Sequence, residues 1–224
     1  MKNIQSAIRD QFSPMIGNTL LLMVVFTIVF IVPLFPLQAH RSLYNLLYTV
    51  MFFTAVTALE RKRNTMLLLA GLVLVAEWFS YGMNLPILTA IARVTMILYF
   101  GSLVIGLIGQ IAGTRKVTTR IILEAINGYL LLGVIFALLV TFVMLYQPEA
   151  FSFPEREAAF AQPGSHSGDY IYYAFVTYTT VGYGDVVPKL PYAKSLAILM
   201  SVTGQIYVAV IIAMLVGKYS SGGD

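Results

Sequence analysis

Long apolar runs separated by short polar breaks dominate the chain. Five of them, Gly17 to Leu37, Ser42 to Leu59, Asn64 to Tyr81, Pro86 to Ala112 and Thr119 to Tyr146, reach or approach the roughly 20 mostly apolar residues that a helix needs to cross a bilayer. A sixth runs from Tyr192 to Gly217. The breaks hold Pro33, Pro36, the Glu60-Arg61-Lys62-Arg63 cluster, Pro86 and the Arg115-Lys116 pair, which interrupt or bound an apolar helix. The pattern predicts an all-α membrane protein with six transmembrane helices. Between the fifth and sixth, Gln147 to Pro191 is too long for a tight turn and too interrupted for another crossing, so it is expected to dip into the membrane and return. Within it, Asp169 to Thr179 is aromatic and apolar over the length of a half-membrane helix, and Thr180-Val181-Gly182-Tyr183-Gly184-Asp185 follows at once.

Composition agrees with a bilayer environment. Of 224 residues, 58% are hydrophobic and 11% charged, against roughly 25% charged in a soluble domain. Cysteine is absent, which excludes disulfides and thiolate metal ligands. The net charge of +4 is no sign of a nucleic-acid partner, because the basic residues sit in short loops between apolar runs. With the N-terminus inside, nine basic residues (Lys2, Arg9, Arg61, Lys62, Arg63, Arg115, Lys116, Arg120, Lys218) face the cytoplasm and four (Arg41, Arg156, Lys189, Lys194) the outside. The positive-inside rule then places both termini in the cytoplasm. Residues 1–16 form a cytoplasmic segment without a cleavage signal, in which Ile4, Ile8 and Phe12 repeat every four residues. They make either an interfacial helix or an irregular start.

Non-helical backbone at membrane depth persists only when it is buried in protein or lines a water-filled path. Two alternating glycines, Gly182 and Gly184, permit positive backbone dihedrals, so successive carbonyls can turn to the same side. One such strand encloses nothing, whereas four around an axis stack rings of carbonyl oxygens that replace the water shell of a potassium ion, with the Thr180 hydroxyl as the innermost ring. The motif therefore implies a homotetramer, and the carbonyl end of the preceding half-helix favours a cation near Thr179 and Thr180.

From about Ile121 to Tyr219 the chain resembles the pore of the tetrameric potassium channels, whose signature Thr179 to Asp185 matches without a gap. The resemblance implies a re-entrant pore helix and an extended selectivity filter. Potassium would be held by Thr180, Val181, Gly182 and Tyr183, with Gly184 and Asp185 closing the outer mouth. Gly204 falls where that family's inner helix has its hinge glycine, although packing alone would also explain it. Paired tryptophans common in the family are replaced by Tyr172 and Tyr173, whose hydroxyls could brace Asp185 or Tyr183. Val176 stands where some members have a glutamate bonding the filter aspartate, so that brace is impossible here. Val187 stands where many members have an aromatic that helps to bind tetraethylammonium, which implies weak external block.

The expected plan is a four-helix, sensor-like domain over 17–113, a linker over 114–120, a pore domain over 121–219 and a tail over 220–224. Six spans before and including such a pore resemble the voltage-gated architecture, yet stepping by three from Arg93 meets Met96, Tyr99 and Ser102. One charge moving through the field is worth ~2.3 kcal/mol per 100 mV, and steep gating uses about three to four per subunit. Weak or absent voltage dependence is expected. Arg93 needs a partner inside the membrane, and Glu77 is the natural one, either as a structural pair or with a sensing role. Gly109 and Gly113 have the spacing of a helix-packing pair, and Trp78 suits an interfacial belt.

From Gln147 to Ser195 the acids Glu149, Glu155, Glu157, Asp169 and Asp185 outnumber Arg156, Lys189 and Lys194 by two. Such a mouth would concentrate cations. His166 in the same stretch is either a surface residue or a proton sensor. Lys218 to Asp224 leave no room within this sequence for a nucleotide- or calcium-binding domain, so the gating stimulus is not legible. No nucleophile with a base, metal-ligand cluster or phosphate loop is present, and neither an enzyme nor a cofactor other than permeant potassium is expected. The expected function is a potassium-selective channel subunit in the plasma membrane, conducting passively. A potassium transporter of the related superfamily and a non-conducting scaffold are the alternatives: the former usually fuses four degenerate repeats, and the latter has no need of both filter glycines.

Overall fold

A computed structural model of the chain describes residues 15–35, 37–59, 63–83, 86–114, 117–153 and 167–221. The Ile4-Ile8-Phe12 repeat, Glu60 to Lys62, Arg115, Lys116, Glu155 to Glu157 and His166 lie outside them. The described chain is α1 (Met15–Leu34), α2 (Leu37–Ala58), α3 (Arg63–Met83), α4 (Pro86–Gly113), α5 (Thr119–Tyr146), β1 (Phe151–Ser152), α6 (Ser167–Tyr178), β2 (Val187–Pro188) and α7 (Pro191–Ser221).

Length and composition make four of these helices, Met15–Leu34, Ile87–Gly113, Thr119–Tyr146 and Pro191–Ser220, capable of crossing a membrane. The apolar stretches described within α2 and α3, Ser42–Ala58 and Met66–Phe79, are shorter. Most of the expected spans match a helix to within a few residues, but Leu37 belongs to α2 and not to the first run. Pro33 has no N–H to return to the preceding turn, and the backbone responds by widening to π geometry over Thr27–Ile31 and tightening to a 3-10 turn over Val32–Leu34. Phe35, before Pro36, is extended at φ −83° and ψ 159°, which ends the helix there. At the other end α7 continues to Ser221, because Lys218-Tyr219-Ser220 contains no breaker, so the expected tail begins as helix.

Along the chain α2 packs on α3, α3 on α4, α4 on α5, α5 on α6 and α6 on α7, while α2 also touches α6. One apolar cluster runs from Phe52, Tyr99 and Phe100 through Leu131, Val134 and Leu138 to Tyr178. The rings of Phe52 and Phe100 lie 4.8 Å apart, joining α2 to α4. A smaller cluster of Ile111, Ile121, Ala125, Tyr207 and Ile211 joins the C-terminal end of α4 to α5 and α7. Gly128 makes room there for the Tyr207 hydroxyl, which donates to the Ala125 carbonyl at 2.8 Å.

A polar seam fixes α1 to α5. Glu124, Asn18 and Asn127 are fully buried; Arg120 donates to Glu124 at 2.8 Å, and the Asn127 amide donates to the Asn18 carbonyl at 2.9 Å. Buried charge is tolerated when it is paired and hydrogen-bonded, and this seam holds its carboxylate that way. A two-residue antiparallel ladder is the one departure from an all-helical plan among the described residues. It sets Phe151 opposite Pro188 and Ser152 opposite Val187, and Lys189 N–H reaches the Ala150 carbonyl at 2.8 Å. The chain leaving α5 is thereby tied to the chain leaving the Thr180–Asp185 segment.

Candidate functional site

The site is the C-terminal end of α6 and the segment that follows it. Helix α6 is seated by close contacts: Gly133 of α5 lies so near the Phe175 ring that a Cβ there would come within 2.4 Å of it. Tyr178 is fully buried, with its ring 4.7 Å from that of Tyr129 and 5.5 Å from that of Phe136. Asp169 occupies the first turn of α6, where a negative charge complements the helix dipole.

After Tyr178 the last carbonyls of the helix are taken by the residues that follow it. Thr180 N–H donates to the Thr177 carbonyl at 3.0 Å. Val181 and Gly182 N–H both turn back onto the Val176 carbonyl, at 3.0 and 3.2 Å. All described peptides are trans, so each carbonyl points opposite to the next N–H. The Thr180 and Val181 carbonyls are therefore directed away from α6, both to the same side. Positive φ recurs at every second residue, 63° at Thr180, 55° at Gly182 and 80° at Gly184. The glycines were legible as such positions; Thr180 was not, since threonine ordinarily avoids that region. Val181 and Tyr183 are 53% and 72% exposed on the single chain, leaving this face uncovered.

Tyr172 supplies the brace that Val176 cannot. Its hydroxyl donates to Asp185 Oδ2 at 2.6 Å. That hydrogen bond holds the Asp185 carboxyl below the usual carboxylate range, and the same bond pushes the Tyr172 hydroxyl up to about 12. Tyr173 takes no part in this brace. It is buried, with its ring 5.0 Å from that of Phe151, because the next position along α6 is turned by about 100°, toward β1. Val187 is in the ladder, partly exposed beside Asp185. Thr179 closes the helix through its N–H and hydroxyl, both on the Phe175 carbonyl.

Helix α7 meets the underside of this segment with one stripe. Ser201 Oγ donates to the Thr177 carbonyl at 3.2 Å, Gly204 lies against Tyr178, and Gln205 Nε2 donates to Thr180 Oγ1 at 3.3 Å. A Cβ on Gly204 would fall 2.1 Å from the Tyr178 carbonyl oxygen, so its lack of a side chain is required by contact, within a helix that continues unbroken through it. The spacing 201, 204, 205 is one helical face, and a small or polar stripe in an otherwise apolar helix was the signal that would have found Ser201 and Gln205.

Farther off, Arg93 Nε lies 4.0 Å from Glu77 Oε1, with both side chains about one-quarter to one-fifth exposed. Trp78 donates its indole N–H to Thr49 Oγ1 at 3.3 Å. Gly109 and Gly113, expected to pack closely, have nothing within 4 Å of where a Cβ would stand: they lie on a face of α4 that no other described helix covers. Lys218, in the last turn of α7, donates to the Ile111 carbonyl and to that of Ala112 at 3.0 Å, so it caps the C-terminal end of α4. Among the described residues no group of three or more histidine, cysteine, aspartate or glutamate side chains is placed to hold a metal.

Comparison with curated proteins and with solved structures found no match. Residues 129–220, from the middle of α5 to the end of α7 and including the whole Thr180–Asp185 segment, match the family model described as an ion channel, which makes this part of the chain that of a channel rather than an enzyme.

Proposed function

We infer that four copies of this chain assemble around the Thr180–Tyr183 strand into a potassium-selective pore that conducts passively, with weak or no dependence on voltage. The observation that carries this is the backbone of the strand: positive φ at residues 180, 182 and 184 and two N–H groups drawn back onto Val176, which send neighbouring carbonyls to one side. Carbonyl rings of this kind substitute for the hydration shell of a cation and need more than one chain to close. Exposed apolar side chains on α7, among them Ile198, Ile206 and Val216, offer surface to neighbouring subunits and lipid. In this assembly α6 enters the bilayer partway and returns, and Asp185 stands at the outer mouth.

Helices α2 and α3, of 22 and 21 residues, are about 32 Å long at 1.5 Å per residue. They match a hydrocarbon core of about 30 Å, which completes six spans with both termini in the cytoplasm. The only ligand required is the permeant potassium ion.

The test is flux from proteoliposomes loaded with potassium, at clamped potentials, with sodium for comparison and Gly182→Asp as control. A carboxylate at a position of positive φ strains the backbone and blocks the ring, so the control is expected to abolish flux. Potassium-preferring flux that varies little with potential supports the reading. Equal passage of sodium, or no flux from a folded tetramer at any potential, overturns it.

A further inference from the structure

Gln205 is the longest polar side chain in the middle of a mostly apolar helix, and its amide N–H donates to the hydroxyl of Thr180. A threonine hydroxyl has one proton and two lone pairs, and a cation bound there needs a lone pair aimed at it. A donor from Gln205 occupies one lone pair and bars the hydroxyl from pointing its own proton in that direction. The second lone pair is left for the ion. Thr180 sits at φ 63°, so its side chain is carried on a backbone that its filter neighbours constrain, and rotation of the hydroxyl is the remaining freedom. Gln205 removes it. Ser201 and Gly204 hold the helix at the distance from α6 that lets the amide reach.

We propose that Gln205 is a positioning residue for the innermost cation site, setting through its amide N–H how the Thr180 hydroxyl presents itself to a dehydrated monovalent cation and thereby part of the discrimination between potassium and sodium. The proposal rests on the filter reading above and assigns a role to a residue outside the signature.

The experiment measures, in proteoliposomes of the full chain, the potassium-to-sodium flux ratio and the potassium concentration giving half-maximal flux, for the unmodified protein, Gln205→Met and Gln205→Glu. The methionine has similar size and no donor. It is expected to lower the ratio and raise the half-saturating concentration about 2- to 10-fold, the factor a neutral hydrogen bond is worth. The glutamate can only accept, so the hydroxyl donates to it, and the half-saturating concentration is expected to fall. In a Thr180→Ala background, Gln205→Met is expected to change neither quantity further, since the partner atom is gone.

Selective flux unaltered by Gln205→Met, or equal effects of that change with and without Thr180, overturns the proposal and leaves the channel reading intact. Gln205→Glu that behaves as the parent overturns the assigned direction of the bond, and carries the test alone if the methionine variant does not assemble. Unselective flux from the unmodified protein overturns both.

Discussion

Tyr172 and Asp185 form the shortest described hydrogen bond around the Thr180–Asp185 segment, at 2.6 Å, and pH acts on it from two sides. Asp185 titrates below its ordinary value because the Tyr172 hydroxyl donates to its carboxylate, so the brace is present above that ordinary value, 3.8, and is lost as pH falls through the depressed one. Tyr172 titrates at about 12 because Asp185 favours its protonated form; its contribution is complete below 10 and is lost as pH rises through about 12. Flux should therefore be flat between about pH 5 and 9 as far as this pair is concerned. Tyr172→Phe should leave assembly intact while speeding the decay of current during sustained recording, an effect that Tyr173→Phe should not share. Equal decay in the two variants would remove the brace from the filter's stability. The tyrosine pair was legible in the sequence as a replacement for tryptophans, but which member turned inward depended on where Phe151 lies, and Phe151 reaches Tyr173 only through the β1–β2 ladder. Thr180 stood out in the sequence as an expected ligand, whereas its positive φ did not, because glycine announces that conformation and threonine conceals it.

Among the elements, α7 carries the most information for its length. Its residues 201, 204 and 205 meet successive groups at the end of α6, and Gly204 is the contact with no slack. Gly204→Ala should cost about 1–3 kcal/mol, the usual range for overpacking, seen as a lower midpoint for thermal dissociation of the assembled protein together with a loss of selectivity, since Tyr178 and Thr180 must shift. An alanine that leaves both unchanged and only slows opening would return Gly204 to the role of hinge. The alternatives left open by the sequence, hinge or packing, differ in what lies opposite the glycine, and a single chain's hydropathy does not hold that information. The same limit hid the α1–α5 seam. Arg120, Glu124 and Asn127 recur at i, i+4 and i+7 on one face of α5, but within 28 largely apolar residues nothing marks which neighbour supplies Asn18.

Across the molecule, the described residues of the four helices before α5 bring the Arg93–Glu77 pair, and α4 carries no ladder of arginines. Arg93 and Glu77 stand 4.0 Å apart and partly exposed, a separation that gives attraction without a hydrogen bond. Glu77→Gln should reduce the yield of folded protein, as a charge left unpaired in a membrane does, while the potassium-to-sodium ratio stays the same. A sharp displacement of the conductance–voltage curve in that variant would instead make Arg93 a moving charge. The run of apolar segments was legible because bilayer thickness imposes a length on each. Their arrangement was not, because lipid and protein are equally acceptable neighbours to a leucine.

The connection from α4 to α5 spans only residues 114–118, and the two helices pack directly on each other within one chain, sharing a core that continues to Tyr178. For biogenesis this separates two events in time. Each chain can complete its described interior by itself, a step independent of concentration, and in the proposed tetramer association then joins four finished quarters at a rate set by their density in the membrane. Among the described residues, no helix of the proposed tetramer has to be threaded from one chain into the next. Mixed assemblies from two variants co-expressed in one cell should form in binomial proportions, because no quarter depends on a particular neighbour to fold.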